Sequence, residues 1–522
     1  MIRQLVSRGR ALGLVALVVL CATAFAGTAQ ARWLRAESPL FVVYSDGKED
    51  ELRTFVGQLH EYDALMRLLT GTTAPPSPNK LPIYLTKNAR QLREAIPYAQ
   101  DGIAGLYNST PHATLAVALR QDLFGLPART IILHEYAHHF MLQYRPAFYP
   151  AWYVEGFAEY FGATQFKDDV LNVGAATPGR AWSLQTRPWA HIREVIDPPN
   201  PRNVTTQFYE ESWLAVSWFM ADPQRREQLP KFLMALGQGE APEKALIATT
   251  GLDFDSLDAE LRAYLKKREL PGFQVKRAAR QAPPITVEAL SDAEDKFLLM
   301  NARLVMNYDK PKEVARLLPK LRKGAAKFEG NSFVLRTLAL AEIKAGDFDN
   351  ADRTLARLEA TAPNDVNTPY LQALRYIEDG RARPAQRDAL WQEARSHATR
   401  AFQLDENHYP SLYLYSLAAM AKGGTPDENT VNVLLRAYEL APNVEEFRLE
   451  SAIALLRTGM KNEARQLLLP LAYAPHFKNG ADYARDLLDR MRSGEDVAQA
   501  LGNFVCACGP AKGSASKEEH TH

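Results

Sequence analysis

The hydrophobic period of this 522-residue chain changes once, near residue 290, and that change divides what it can fold into. Before it, strand and helix signals are mixed. Leu40-Phe-Val-Val-Tyr44 and Leu81-Pro-Ile-Tyr-Leu85 read as short buried strands, and Ala113 to Leu119 as a third. Between the first two, Leu52, Phe55, Val56, Leu59, Tyr62, Leu65 and Leu68 recur at helical spacing. Pro127 and Pro150 are each placed to open a helix, and further helical patterns run over 210–220 and 252–267. After it, from Ser291 to Ser493, the pattern is helix after helix, rich in Ala and Leu. Gly346 and Ala351 precede Pro363, and Gly459 and Ala464 repeat that five-residue spacing before Pro475, which lies 33 residues beyond Pro442. A helix-turn-helix unit of about that period cannot bury its open face alone, so such units stack. Lys276 to Val287, with Pro283 and Pro284, reads as a linker between the two regimes.

Composition narrows the function classes. With 62 Lys+Arg against 61 Asp+Glu the formal net charge is +1, which argues against a nucleic-acid or other polyanion binder. Three cysteines cannot staple a chain of this length, so apolar cores must hold it. The first 31 residues have the order of an export signal: Arg3, Arg8 and Arg10, an apolar run from Ala11 to Ala26, then Ala29-Gln30-Ala31. The expected mature chain is exported, periplasmic or secreted, with no membrane span after cleavage. Cys506 and Cys508 then remain on a small, polar tail read as disordered.

One motif carries chemistry. His134-Glu135-Tyr136-Ala137-His138 sits in an apolar helical pattern, and the i to i+4 spacing puts both imidazoles on one face, one turn apart. That separation suits two ligands of a single tetrahedral zinc ion, with Glu135 projecting beside the metal as a proton acceptor. An HExxH of this kind arises by chance in about one such chain in a hundred. A second block raises its weight. Sixteen residues separate His138 from Glu155-Gly156-Phe157-Ala158-Glu159-Tyr160, and Pro146 and Pro150 break the chain between them. A second helix folded back on the first turns Glu155 toward the metal as a third ligand. Glu159, one turn on, can hydrogen-bond the far nitrogen of a ligand histidine, and is the alternative ligand. His139 points about 100° away from its neighbour and reads as structural. His112 and His191 read as surface or loop residues, Arg145 as a helix-end charge, and Trp152 and Tyr160 as core.

His134, Glu135, His138 and the Glu155-Gly-Phe-Ala-Glu-Tyr block resemble the gluzincin metallopeptidases, in particular the aminopeptidase-like branch and the peptidase-MA-like proteins of bacterial secretion. The resemblance covers about residues 32–270. It implies an α+β zincin-like peptidase domain, Zn2+ held by His134, His138 and Glu155, and Glu135 as general base. In these families a downstream tyrosine at a helix start stabilises the oxyanion, which implies Tyr209 in Phe208-Tyr209-Glu210-Glu211. The gap before Glu155 is shorter than in the better-known aminopeptidases, and Gly105-Leu-Tyr together with the strand 113–119 stands where their glycine-rich motif lies. The helical half is similar to tetratricopeptide repeats.

The expected organisation is therefore a signal peptide (1–31), a gluzincin-like metallopeptidase domain (32–275), a linker (276–290), an all-α tetratricopeptide-like solenoid (291–495) and a disordered tail (496–522). The expected function is an exported zinc peptidase acting on a peptide or protein substrate. Strand 113–119 is read at the cleft edge, where an extended peptide can pair. The solenoid's concave face is expected to bind a protein partner, a substrate segment or the peptidase domain itself. The alternatives are a catalytically weak zinc-containing scaffold whose repeats bind partners, which has no need of Glu135, and a hydrolase of a different amide or ester.

Overall fold

The computed structural model describes residues 32–99, 104–120, 128–174, 178–198, 205–267, 270, 272–277, 283–306, 309–420, 423–472, 478–497 and 501. The expected signal segment, Pro127, Cys506 and Cys508 lie outside these residues. The architecture is mixed α/β followed by a long all-helical region.

The short alternating runs make one six-stranded sheet. Its strands are β1 (Leu34–Glu37), β2 (Phe41–Ser45), β3 (Leu81–Thr86), β4 (Gly105–Ser109), β5 (Thr114–Leu119) and β9 (Thr286–Ala289), in the order β4-β5-β3-β2-β1-β9. β2, β3 and β5 are parallel, and β4 runs antiparallel to β5 with Tyr107 opposite Ala116. A small second sheet joins β6 (Gln165–Phe166), β7 (Val170–Val173) and β8 (Phe273–Lys276).

The first-half helices are α1 (Glu49–Thr70), α2 (Ala89–Ala95), α3 (Ala128–Tyr144), α4 (Ala151–Gly162), α5 (Pro178–Thr186), α6 (Ile192–Ile196), α7 (Thr206–Met220), α8 (Pro223–Gly237), α9 (Pro242–Thr250) and α10 (Phe254–Leu265). α1 carries the expected apolar stripe: Leu52, Val56, Leu59, Tyr62, Leu65 and Met66 are buried, while Leu68 stays 64% exposed. Two neighbours on that helix fix α3 against it. The Tyr62 hydroxyl donates to the Leu133 carbonyl at 3.2 Å, and the Tyr136 hydroxyl donates to Asp63 at 2.7 Å.

The stretch read as a linker is stitched into the fold. β8 closes the small sheet at one end of it, and β9 pairs with β1 at the other. Thr286-Val-Glu-Ala289 alternates as an edge strand should, but the two prolines before it mark a break and mask the signal.

The helical region runs through α11 (Asp292–Val305), α12 (Pro311–Ala325), α13 (Ser332–Ala345), α14 (Phe348–Thr361), α15 (Asn367–Ala382), α16 (Arg387–Leu404), α17 (Tyr409–Ala419), α18 (Glu428–Leu440), α19 (Glu445–Arg457), α20 (Lys461–Ala472) and α21 (Lys478–Arg492). Gly346 ends α13 at φ +76°, a left-handed conformation that glycine adopts without steric penalty, so the chain reverses at once into α14. Arg381–Arg387, which looks like an insertion, is the end of α15 plus a single 3₁₀ turn, Pro384–Gln386. Val497 and Leu501 are buried in the helical core, so the tail leaves that core later than residue 496.

The two regions share a helix. Leu298, Leu299 and Ala302 of α11 join the core of the mixed half, while Ala293, Phe297 and Leu304 join the helical core. They also meet at the β4–β5 hairpin. His112 at its tip bonds the Tyr370 hydroxyl of α15 through Nδ1 at 2.9 Å, so it is not the plain loop histidine that the sequence suggests. Desolvation, helped by Lys344 and Arg381, pushes its pKa down to about 3. Among the described residues no helix is long and apolar enough to cross a membrane.

Two predictions follow from this packing. A Cβ at Gly156 of α4 would lie 2.4 Å from the Ser212 carbonyl of α7, whereas one at Gly57 of α1 meets nothing within 4 Å. Gly156→Ala is expected to cost about 1–3 kcal/mol in denaturant unfolding, and Gly57→Ala to add about 0.5–1 kcal/mol. His112 has a folded pKa below its unfolded one, so its contribution is present above about pH 6.5 and is lost as pH falls toward 3. The stability of the wild type relative to His112→Gln is therefore expected to decline over that acid range in thermal melts run from pH 7 to 4.

Candidate metal centre

The site is built where α4 folds back on α3. α3 opens after the β5 strand and carries His134, Glu135 and His138, and Pro150 caps α4 at its N-terminus with an extended backbone. The two helices run antiparallel and closely. A Cβ on Gly162 would sit 3.1 Å from the backbone and Cβ of His134, so only glycine lets the helices meet there without displacement. One turn back from Gly162, Glu159 faces His134; another turn back, Glu155 reaches both histidines. On its other side α4 lies against α7, with Gly156 at Ser212.

The distances describe a compact donor set. His134 Nε2 and His138 Nε2 are 3.0 Å apart, and Glu155 Oε2 lies 3.7 Å from the first and 3.4 Å from the second. One atom from each residue falls within a 4.8 Å group, a set able to hold a metal ion. His134 and Glu155 are buried, and His138 is half-buried. Glu159 Oε1 stands 3.5 Å from His134 Nδ1. A carboxylate on that side favours the Nδ1–H tautomer and leaves the Nε2 lone pair pointing into the group. Glu159 is therefore placed behind a histidine and outside the donor group.

Electrostatics point the same way. Desolvation disfavours a charged His138, yet the pull of Glu155, Glu135 and Glu159 outweighs it and raises the pKa. The pocket attracts positive charge.

Glu135 is placed differently. Its side chain is buried, and Oε2 accepts the main-chain N–H of Tyr107 at 3.0 Å. That N–H lies on the outer edge of β4. The bonds Leu119 N–H to Ala104 O and Thr110 N–H to Ala113 O put the paired positions at the even residues. Gly105, Tyr107 and Ser109 thus direct their main-chain groups away from β5. The edge strand is β4, with β5 one place inward, which corrects the reading of 113–119 as the cleft edge. The short Gly105–Ser109 run, with a glycine at one end, gives only a weak strand signal.

No protein-family model, curated protein or solved structure matches this chain.

The remaining candidates divide. Tyr209 is buried on the first turn of α7, three residues before the Ser212 contact with α4. His139 is structural, as expected: it is buried, bonds the Tyr107 hydroxyl through Nδ1 at 3.1 Å, and has its pKa pushed down to about 3 by desolvation. Arg145 donates to the Thr70 carbonyl, which ties the end of α3 to the end of α1. His191 caps α6 by accepting the Arg193 N–H at 3.2 Å. Trp152 and Tyr160 are fully buried core residues. Sequence reading missed Tyr107, Asp63 and Gly162. Gly162, two residues beyond the Glu155–Tyr160 block, and Tyr107, within the Gly105-Leu-Tyr run, carried a local signal, and Asp63 carried none.

A bound ion stabilises the folded state alone, so excess divalent metal at about 100 times its Kd is expected to add about 2.7 kcal/mol to stability. His138→Ala and Glu155→Ala are each expected to abolish that gain in thermal melts with and without chelator.

Proposed function

We propose that the chain is a zinc-dependent peptidase of the gluzincin type, exported by its N-terminal segment and extended by tetratricopeptide-like repeats. The observation that carries the reading is the division of labour between neighbours on α3: His134 and His138 enter the donor group with Glu155, while Glu135 stands beside it on the edge-strand N–H of Tyr107.

The donor set fits zinc. Two imidazole nitrogens and one carboxylate oxygen are ligands it favours, and ligand atoms at about 2.0–2.1 Å from a tetrahedral centre lie about 3.3 Å apart. The separations of 3.0, 3.4 and 3.7 Å bracket that spacing. Zinc held there supplies a Lewis acid that polarises a substrate carbonyl and acidifies water.

The chain's own residues do the rest. Glu135 takes a proton from the attacking water and returns it to the leaving amine. His134 keeps its Nε2 lone pair toward the group because Glu159 faces Nδ1. The outward main-chain groups of Gly105, Tyr107 and Ser109 suit pairing with an extended peptide, which makes the substrate class a peptide strand. The Tyr107 N–H stays on the Glu135 carboxylate and holds the base in place, so the peptide pairs with the other outward groups of the edge. Tyr209 on α7 is assigned to the developing oxyanion.

Glu135→Gln is expected to keep about one zinc per chain by elemental analysis and to lose about 10²–10⁴-fold in turnover of a peptide mixture. Tyr209→Phe is expected to cost about 10²–10³-fold. Zinc-loaded wild type that cleaves none of a diverse peptide library overturns the reading.

A further inference from the structure

Stacked repeats ordinarily take a partner on one extended side of the array, and one side here presents α15, α17 and the turn before α19. In this protein the β4–β5 hairpin reaches it. Tyr370 of α15 holds His112 at the hairpin tip, and the Tyr409 hydroxyl of α17 donates to Thr114 at 3.4 Å. Asn443, in the turn before α19, directs its amide nitrogen at three hydroxyls: Tyr107 at 2.6 Å, Ser109 at 2.8 Å and Thr114 at 3.1 Å. Beside it, Gln143 at the end of α3 donates to the Leu440 carbonyl at 3.1 Å. The opposite face of the hairpin is held as well, by Asn108 donating to the Met306 carbonyl at 3.3 Å.

We propose that the helical array is an internal clamp on the strand lining the site, and that Asn443 is the positioning residue through which it sets Tyr107. This inference rests on the peptidase reading for its kinetic consequence, but not for its structural one.

The geometry carries it in three steps. Asn443 is 4% exposed and comes from a sequence position 336 residues beyond Tyr107, so the contact exists only when the array is docked. The Tyr107 hydroxyl accepts from Asn443 and meets His139 Nδ1 at 3.1 Å, which ties the ring to both the array and α3. With the ring fixed at its far end, the backbone of the same residue is fixed too. That backbone carries the N–H on Glu135. Asn443 thus acts on Glu135 through one intervening residue and touches no reacting atom. Misplacement of a reacting group by about 1 Å can cost about 10²-fold in rate, so a looser strand is felt chiefly in the chemical step.

The test uses the full-length protein with Asn443→Ala, Tyr107→Phe, the double variant, and Asn79→Ala as a control. Asn79 also bridges the two regions, donating to the Asn407 carbonyl at 3.1 Å, a bond that involves no β4 residue. Hydrogen exchange over residues 105–119 is the first readout. Asn443→Ala and Tyr107→Phe are expected to speed exchange of the β4 amides about tenfold, and Asn79→Ala to leave it unchanged. Peptide turnover is the second. Both variants are expected to lower kcat about tenfold with KM within about twofold, the zinc content staying at about one per chain, and the double variant is expected to be no worse than the weaker single. Unchanged β4 exchange in the two single variants overturns the clamp, and so does a fully additive double variant. If Asn443→Ala does not fold, Asn443→Leu, of similar size and without the amide donors, takes its place, because Tyr107→Phe also removes the bond to His139. If the wild type binds zinc yet cleaves nothing, the peptidase reading fails while the exchange experiment still judges the clamp.

Discussion

The antiparallel contact between α3 and α4 is the constraint on which the site depends. Two imidazoles one turn apart define only a line. A third donor must approach from a second helix, and side chains on two helices converge this tightly only if the backbones come close. Gly162 allows that approach at His134, where any Cβ would press on the backbone at 3.1 Å. Gly156 allows α7 to close on the far side of α4 in the same way. With α4 held between α3 and α7, Glu155 has little freedom to turn elsewhere. The pairing of Tyr136 with Asp63, itself bonded by Arg67 at 2.8 Å, performs the corresponding task on α3 from the side of α1.

Charge explains why the arrangement asks for a cation. Glu135, Glu155 and Glu159 crowd His134 and His138, and all five side chains are largely withdrawn from water. Carboxylates gathered in a low-dielectric pocket repel one another and lose hydration, a cost that other contacts must offset. The raised pKa of His138 is one response. A divalent ion held by the group would be a more complete one, because it would take the lone pairs of both imidazoles and one carboxylate at once. The Tyr107 N–H answers the charge of Glu135 separately, which keeps that carboxylate out of the donor group.

The parts that depend on local spacing were legible in the sequence. The i, i+4 histidines, the proline break and the second acidic block specify two helices and their facing sides, and α3, α4 and the group of His134, His138 and Glu155 occur as that spacing requires. The all-helical second half was equally plain, since its Ala- and Leu-rich period persists for two hundred residues or so. What was not legible depends on long-range pairing. β9 reaches the main sheet from a stretch whose prolines suggest a linker. β4 is five residues long and becomes an edge strand only because β5 lies beside it. Tyr107 and Asn443 are ordinary residues in their own neighbourhoods, and their roles appear only when segments 336 residues apart meet.

An edge strand is a poor support for a site that needs fixed geometry. It is hydrogen-bonded on one side only, and its other side must stay open if an extended peptide is to pair with it. Covering the edge with another strand would make it rigid and also block it. The helical array resolves that conflict by holding β4 through side chains instead of main-chain groups: Tyr107 and Ser109 from one face, Asn108 from the other, and the hairpin tip through His112. The main-chain edge at Gly105, Tyr107 and Ser109 is left directed outward. Holding the hairpin on both faces uses elements far apart in the array, the end of α11 on one side and α15, α17 and the turn before α19 on the other.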